Sequence, residues 1–270
     1  MLAPKTRAAI RIGSLLYLAL GLVLFAAPDF AASSFPWSVS SVVAMTIGGW
    51  LLGNGAALWF ASAPGPASRV MPVLAYVAAF AALELLVMIA FRGALKLDVL
   101  LAIPYLITLG VSLVAAAFGM LELRRSTEVL ASDDAPLQSR VRMALIGLLV
   151  FVVLLAVGGF LAGDGGLSTT GQIFPGPLTV FSVRAFGAFY LALAVGIGAL
   201  LLRPSVASAV MLGIAGIALI IPIVVAALLN IGAFDFAGRP LGVLYLAAYA
   251  VVLVPSVVFL FRNRGMLSGL

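Results

Sequence analysis

Long apolar runs separated by short polar or charged segments form the dominant pattern of this chain. A helix that crosses a membrane needs about 20 apolar residues, at ~1.5 Å of rise per residue. Unpaired backbone amides are costly in lipid, so each run of that length is predicted to be helical. Eight runs qualify, at residues 10–27, 41–61, 70–91, 99–121, 143–162, 178–202, 206–231 and 241–261.

One long polar segment divides these runs into two sets of four. It covers residues 122–142 and is rich in Arg, Asp and Glu. Four runs precede it and four follow it, which is the pattern of two membrane units joined by a linker. We therefore predict a four-helix membrane repeat at 1–122, a cytoplasmic linker at 123–141 and a second four-helix membrane repeat at 142–270.

The two halves resemble each other when the first is shifted by 139 residues, a shift that we call the repeat offset. The coinciding positions are an aromatic-proline pair, a glycine and a large aromatic: Phe35-Pro36 with Phe174-Pro175, Gly48 with Gly187, and Trp50 with Phe189. Four spans is an even number, so both halves insert with the same orientation. The predicted fold is an all-α polytopic integral membrane protein with eight transmembrane helices, arranged as two parallel repeats about an axis along the membrane normal.

Composition supports the membrane assignment and excludes several kinds of chemistry. Apolar residues make up 64% of the chain and charged residues 9%, against ~45–50% and ~25% in soluble domains. The mean hydropathy is +1.28. The sequence contains no Cys and no His, so thiolate nucleophiles and thiolate or imidazole metal ligands are excluded. We predict no metal site and no catalytic residues.

Basic residues are distributed unevenly between the loops on the two sides of the membrane. Alternating the predicted loops places eleven Lys and Arg residues on one side and three on the other. The positive-inside rule then puts both termini in the cytoplasm and the chain in the cell membrane. The net charge of +6 lies at span ends and forms no aromatic-lined basic stripe. Membrane lipids, and not nucleic acid, are therefore the predicted partners.

Each half carries a stripe of small residues at four-residue spacing in its second run. Small residues at this spacing share one face of a helix and let two helix backbones approach closely in lipid. Close packing between helices is therefore the predicted role of both stripes. Their members are Gly49, Gly53 and Ala57 in the first half and Ala188, Ala192 and Gly196 in the second.

Two charged residues lie well inside the predicted spans, Glu84 and Arg184. A single charge at the bilayer centre costs at least ~2.5–3.5 kcal/mol on the insertion scale. Counted from the same membrane surface, their depths match at about 9–10 Å, and their signs are opposite. We predict an intramembrane ion pair between the halves. It would act either as a clasp that fixes the docking of the repeats or as part of a binding or proton-linked site.

Further polar candidates lie in the outer loops and in the second run. Asp29 and Asp164 occupy similar places in the first outer loop of each half. They form a candidate polar site on that side of the membrane. Asn54 lies within a predicted span, where its amide needs a hydrogen-bond partner on a neighbouring helix.

Three functions fit these observations. The first is a non-catalytic accessory, assembly or lipid-contacting component that packs against other membrane protein subunits, in line with the few buried polar groups. The second is a transporter of a small apolar or anionic molecule through the repeat interface. The third is a lipid-directed enzyme that uses Glu84, Asp29 and Asp164 as its acids and bases. No cofactor is predicted, although apolar walls are compatible with a lipid, quinone or carotenoid ligand.

Overall fold

A computed structural model describes residues 2–65, 67–125, 135–161, 178–238 and 242–265. Within these ranges the chain forms nine α-helices and no strand. The helices are α1 (Pro4–Ala26), α2 (Pro28–Ser34), α3 (Ser41–Ala61), α4 (Met71–Ala90), α5 (Ala102–Arg125), α6 (Ser139–Leu161), α7 (Val180–Leu202), α8 (Val206–Leu229) and α9 (Gly242–Arg262).

Seven of these helices are long and apolar enough to cross a membrane. They are α1 and α3 to α8, and they coincide with the first seven predicted runs. The eighth run, 241–261, falls on α9, whose described apolar stretch Leu246–Arg262 is shorter. The chain is therefore a helical, multi-pass membrane protein. Helix α5 extends to Arg125 and α6 begins at Ser139, and most of the predicted linker between them lies outside the described residues.

The start of the second long helix and the turn after the third long helix correspond between the two halves. Ser40 caps α3 by accepting from the Val43 backbone N–H, and Thr179 caps α7 by accepting from the Ser182 N–H. A short 3₁₀ turn, Arg92–Ala94, follows α4. The matching turn after α8 is Ile231–Ala233. The two caps are separated by the repeat offset, and so are the two turns.

One pair of glycines in each half lets two helix backbones approach each other closely. A Cβ at Gly21 would lie 2.7 Å from the Leu52 backbone nitrogen, and a Cβ at Gly48 would lie 2.8 Å from the Phe25 nitrogen. In the second half, a Cβ at Gly159 would lie 2.7 Å from the Cα of Gly187. Helix α1 thus packs backbone against backbone on α3, and α6 packs in the same manner on α7.

The halves are joined by α3 against α8 and by α4 against α7. A Cβ at Gly53 would lie 2.6 Å from the Cα of Leu219, so α3 reaches the α8 backbone there. A Cβ at Gly196 would lie 2.8 Å from the Cβ of Tyr76 on α4. The other stripe members are also buried: Gly49, Ala57, Ala188 and Ala192. Gly49, Gly53 and Gly196 therefore lie in contacts between the halves.

Aromatic rings fill the centre of the contact between α3, α4 and α7. Trp50 stacks on Phe189 and meets Phe186 edge to face, with ring centroids 4.4 Å apart in both pairs. Phe80 of α4 meets Trp50 and Phe189 at 6.4 Å. Such pairs add attraction beyond the apolar area they bury. This aromatic cluster lies in the contact between the two halves.

Candidate functional site

The two predicted intramembrane charges are not paired in the structure. Glu84 on α4 is completely buried, and neither carboxylate oxygen has a hydrogen-bond partner in the described part of the chain. Arg184 on α7 is partly buried, and its Nη1 donates to the Gly159 carbonyl at 2.6 Å. Depth fixes the height of a residue along a helix but not the direction in which it points. Arg184 points towards α6, whereas the nearest groups to Glu84 come from other helices.

Glu84 lies among tyrosine side chains from two neighbouring helices. Tyr105 of α5 lies beside its carboxylate, and Tyr17 of α1 is close enough to interact with it electrostatically. Both hydroxyls are buried, and neither meets the distance and angle of a hydrogen bond within the described ranges. The carboxylate of Glu84 thus lies beside the Tyr105 hydroxyl, with Tyr17 within electrostatic range.

A second set of polar side chains continues from Tyr17 towards the end of the bundle that holds the N-terminus. Tyr17 lies beside Ser112 of α5 and Asn54 of α3. The Tyr76 hydroxyl donates to Asn54 Oδ1 at 2.5 Å, so Asn54 has its predicted partner on a neighbouring helix. We call the whole set the polar row. Its members are Tyr17, Asn54, Tyr76, Glu84, Tyr105 and Ser112.

The polar row crosses a large part of the first half. Tyr76 and Glu84 are eight residues apart on α4, which corresponds to about 12 Å along the helix axis. Tyr105 and Ser112 are seven residues apart on α5, and so lie on the same helix face. Because α4 and α5 are successive helices, the Tyr105–Glu84 level lies towards the end of the bundle opposite the N-terminus. We call this end the far end.

Six buried side-chain atoms of the row have no hydrogen-bond partner among the described residues. They are both carboxylate oxygens of Glu84, the hydroxyl oxygens of Tyr17, Tyr105 and Ser112, and Nδ2 of Asn54. Burying a polar group without a partner costs about 1–3 kcal/mol by protein mutational data. Several such groups in one place therefore indicate a site that takes up water, an ion or a small ligand.

The row has no polar counterpart in the second half. At the repeat offset, Asn54 corresponds to Leu193, Tyr76 to Ala215 and Glu84 to Ile223. The glycine crossings, helix caps and 3₁₀ turns are maintained in both halves, whereas these three positions differ in polarity. The polar side chains of the row therefore all come from the first half.

An aromatic loop closes the row at the far end. Phe35 and Trp37, in the loop between α2 and α3, are buried and contact the Tyr105 ring at 5.2 and 5.6 Å between centroids. Trp37 also stacks on Phe181 of α7 at 4.4 Å, and its Nε1 donates to Ser182 Oγ at 3.2 Å. This loop thus joins the site to the second half and covers it from that side.

The opposite end of the first half is basic. Nε of Arg7 donates to the Ser62 carbonyl, and Nε of Arg11 donates to Ser62 Oγ. The Arg11 guanidinium also lies 5.6 Å from the centroid of the Trp59 ring. Between these residues and the row, Ser14 Oγ donates to the Gly55 carbonyl at 2.7 Å. The basic groups are therefore tied to the helix end and do not reach the carboxylate of Glu84.

The other predicted polar site is only partly visible. Asp29 accepts a hydrogen bond from Ser41 Oγ, which ties α2 to the start of α3. Asp164 lies outside the described residues, so its relation to Asp29 is not shown. In the described part of the chain, no three His, Cys, Asp or Glu side chains are grouped as a metal site would need.

Sequence reasoning found Glu84 but missed the tyrosines and the serine around it. Tyr17, Tyr105 and Ser112 lie within apolar runs, where isolated hydroxyls look like ordinary core residues. A usable signal was nevertheless present, because the repeat offset aligns polar residues of the first half with apolar residues of the second. Comparing the halves position by position for polarity, as well as for size, identifies Asn54, Tyr76 and Glu84.

No family model, curated protein or solved structure matches the chain. The polar row is buried within a membrane protein, belongs to one half, and contains a carboxylate with no partner in the described residues.

Proposed function

We propose that the protein has eight transmembrane helices in two parallel repeats, with both termini in the cytoplasm. The caps of α3 and α7 and the turns after α4 and α8 support this, because each pair is separated by the repeat offset. The crossings at Gly21–Gly48 and Gly159–Gly187 give further support. In this arrangement the second helix of each repeat packs on the third helix of the other repeat.

We further propose that the protein is a transporter-type membrane protein whose first half binds a small polar solute. The observation that carries this proposal is the fully buried carboxylate of Glu84, which has no hydrogen-bond partner in the described residues. Ionisable residues inside a membrane mark ion or substrate pathways. Under this proposal, the second half is an apolar framework against which the first half works.

A purely structural role accounts less well for Glu84. A clasp would satisfy its charge with a partner, because an unpaired buried charge opposes folding. Stability alone favours an apolar side chain, and Ile223 occupies the corresponding position of the second half. Retaining a carboxylate at this position is more easily understood as a requirement of function.

The polar row favours a transporter over the accessory component that the sequence had suggested first. The accessory-component hypothesis depended on a scarcity of buried polar groups, and the row supplies such groups. A path through the repeat interface would have to pass stacked rings, including Trp50, Phe186 and Phe189. We therefore place the binding site inside the first half. That the protein is not an enzyme remains a prediction.

Solvent access to the row tests this proposal. The natural chain has no Cys, so Ser112→Cys introduces a single thiol into the row. Ala116→Cys, one turn further along α5 and equally buried, is the matched control. In membrane vesicles, Ag⁺, a small thiol-reactive ion, should modify Ser112→Cys and leave Ala116→Cys unmodified. If both variants resist the reagent while remaining folded, the row is sealed and the proposal is wrong.

A hydrophobic carbodiimide gives a second, independent readout. Such reagents react with carboxyl groups inside membranes, and Glu84 is the buried carboxylate of the described spans. We expect labelling that is lost in Glu84→Gln. Glu122→Gln is the control, because Glu122 lies at the end of α5 and is engaged by Thr6. Equal labelling of Glu84→Gln and the natural chain would place the reactive carboxyl elsewhere.

A further inference from the structure

We propose that the solute held by the polar row is a small monovalent cation of the alkali type. Its ligands would be the carboxylate of Glu84 and the hydroxyl oxygens of Tyr17 and Tyr105. This inference rests on the proposed function, because it assumes that the row is a site that a solute enters. It adds the chemical class of the solute.

The available donor atoms favour a hard cation. Five of the six row atoms without a hydrogen-bond partner among the described residues are oxygens. Two of these oxygens belong to the carboxylate of Glu84. Carboxylate, hydroxyl and water oxygens suit hard cations, whereas transition metals favour imidazole and thiolate ligands. The sequence supplies neither of those ligand types. An anion would be repelled by the carboxylate and would find no guanidinium there, because Arg184 points to Gly159.

The charge of the site favours a single positive charge. Glu84 is the one carboxylate of the row, and the other titratable members are the tyrosines Tyr17, Tyr76 and Tyr105. A monovalent cation would make the occupied site neutral. A divalent cation would leave a net positive charge in a medium of low dielectric constant, where an uncompensated charge is costly.

The enclosure of the site favours a small ion. Both oxygens of Glu84 and the hydroxyl oxygens of Tyr17 and Tyr105 have essentially no accessible surface. Phe35 and Trp37 cover the far end of the row against the Tyr105 ring. A monatomic ion would displace these side chains less than an organic solute, which would have to displace whole rings.

Cation binding can be measured directly on the purified full-length protein in detergent. Thermal unfolding is followed while Na⁺ or K⁺ replaces choline at constant ionic strength, with Mg²⁺ as a divalent comparison. Equilibrium binding of radioactive Na⁺ is measured in parallel. We expect a saturable rise in Tm with an alkali cation and none with choline, because a ligand that binds only the folded state stabilises it. Mg²⁺ should have no such saturable effect.

Three variants connect the effect to the row. Glu84→Gln should abolish cation binding and the rise in Tm. Tyr105→Phe removes one oxygen ligand and should weaken the apparent affinity about tenfold, which is ~1.4 kcal/mol. Glu122→Gln, outside the row, should bind as the natural chain does. Tyr105→Phe keeps the test decisive if Glu84→Gln fails to fold.

The possible outcomes separate this inference from the function on which it rests. If Ser112→Cys is modified but neither Na⁺ nor K⁺ binds, the row admits a solute of another class and only the cation inference is wrong. If Ser112→Cys is unmodified and no cation binds, both proposals are wrong. Full cation binding by Glu84→Gln, or stronger stabilisation by Mg²⁺ than by Na⁺ and K⁺, would also overturn the cation inference.

Discussion

Trp50 and Phe189, which correspond to each other at the repeat offset, stack face to face with ring centroids 4.4 Å apart and planes 4° apart. They occupy corresponding positions in α3 and α7, the second long helix of each half. In an object with twofold symmetry, a residue contacts its own equivalent only near the axis. This stack therefore marks where an axis relating the two repeats would pass, and its energetic importance can be tested.

Removing the larger ring of this stack should destabilise the protein strongly. Trp50 is 1% exposed and contacts Phe80, Phe186 and Phe189. We expect Trp50→Ala to lower the free energy of unfolding by about 3–5 kcal/mol, because removing a buried aromatic side chain leaves a large cavity. Trp59→Ala is the control, because Trp59 is 47% exposed. Equal losses for the two variants in thermal unfolding would contradict the central role of Trp50.

Adding one methyl group to the contact between α3 and α8 should also be destabilising. The Cβ introduced by Gly53→Ala would lie 2.6 Å from the Cα of Leu219, so the helices would have to separate. Overpacking of this kind costs about 1–3 kcal/mol. The matched variant Gly110→Ala meets nothing within 4 Å and should be neutral or slightly stabilising. Comparing the two unfolding temperatures tests whether helix proximity, rather than the loss of glycine, is responsible.

Glu84 and Arg184 should act independently. Because their side chains are not paired, the effects of Glu84→Gln and Arg184→Met on stability should add to within about 0.5 kcal/mol in the double variant. We also expect Glu84→Leu to leave Tm unchanged or raised in choline buffer, since it removes an unpartnered buried carboxylate. Recovery of stability in the double variant beyond additivity would restore the ion pair predicted from the sequence.

The proposed topology predicts where attached reporters will be found. Fusions after Arg125 and at the C-terminus should be cytoplasmic, and a fusion at Gly166 should be external, if four spans precede the linker and four follow it. Paired reporters that are active on opposite sides of the membrane provide the measurement. An external signal at Arg125 would be incompatible with both the orientation and the parallel arrangement of the repeats.

The sequence predicted the helices well because their lengths are set by membrane thickness. Seven predicted runs coincide with described helices, and the repeat offset also relates the caps at Ser40 and Thr179. Both features depend on hydropathy and residue size, which are read directly from the letters. They do not depend on how each helix is rotated against its neighbours.

The sequence did not predict how each helix is rotated about its own axis relative to its neighbours. The depth of Glu84 and Arg184 could be counted from the span ends, but the direction of each side chain depends on packing across several helices. Tyr105 was missed for the same reason, because a tyrosine in an apolar run contacts the site or the lipid according to the face that it occupies. Such faces are fixed by contacts such as Gly53 against Leu219, between residues far apart in sequence.

The glycine crossings described above also have a consequence for biogenesis. Helices α1 and α3 are consecutive spans, and their contact at Gly21 and Gly48 needs no other part of the protein. This hairpin can therefore close as soon as α3 leaves the translocon. The stripe at Gly49 and Gly53, by contrast, must wait for α8, the seventh span to be synthesised. Until then the newly inserted first half exposes its small-residue face to lipid.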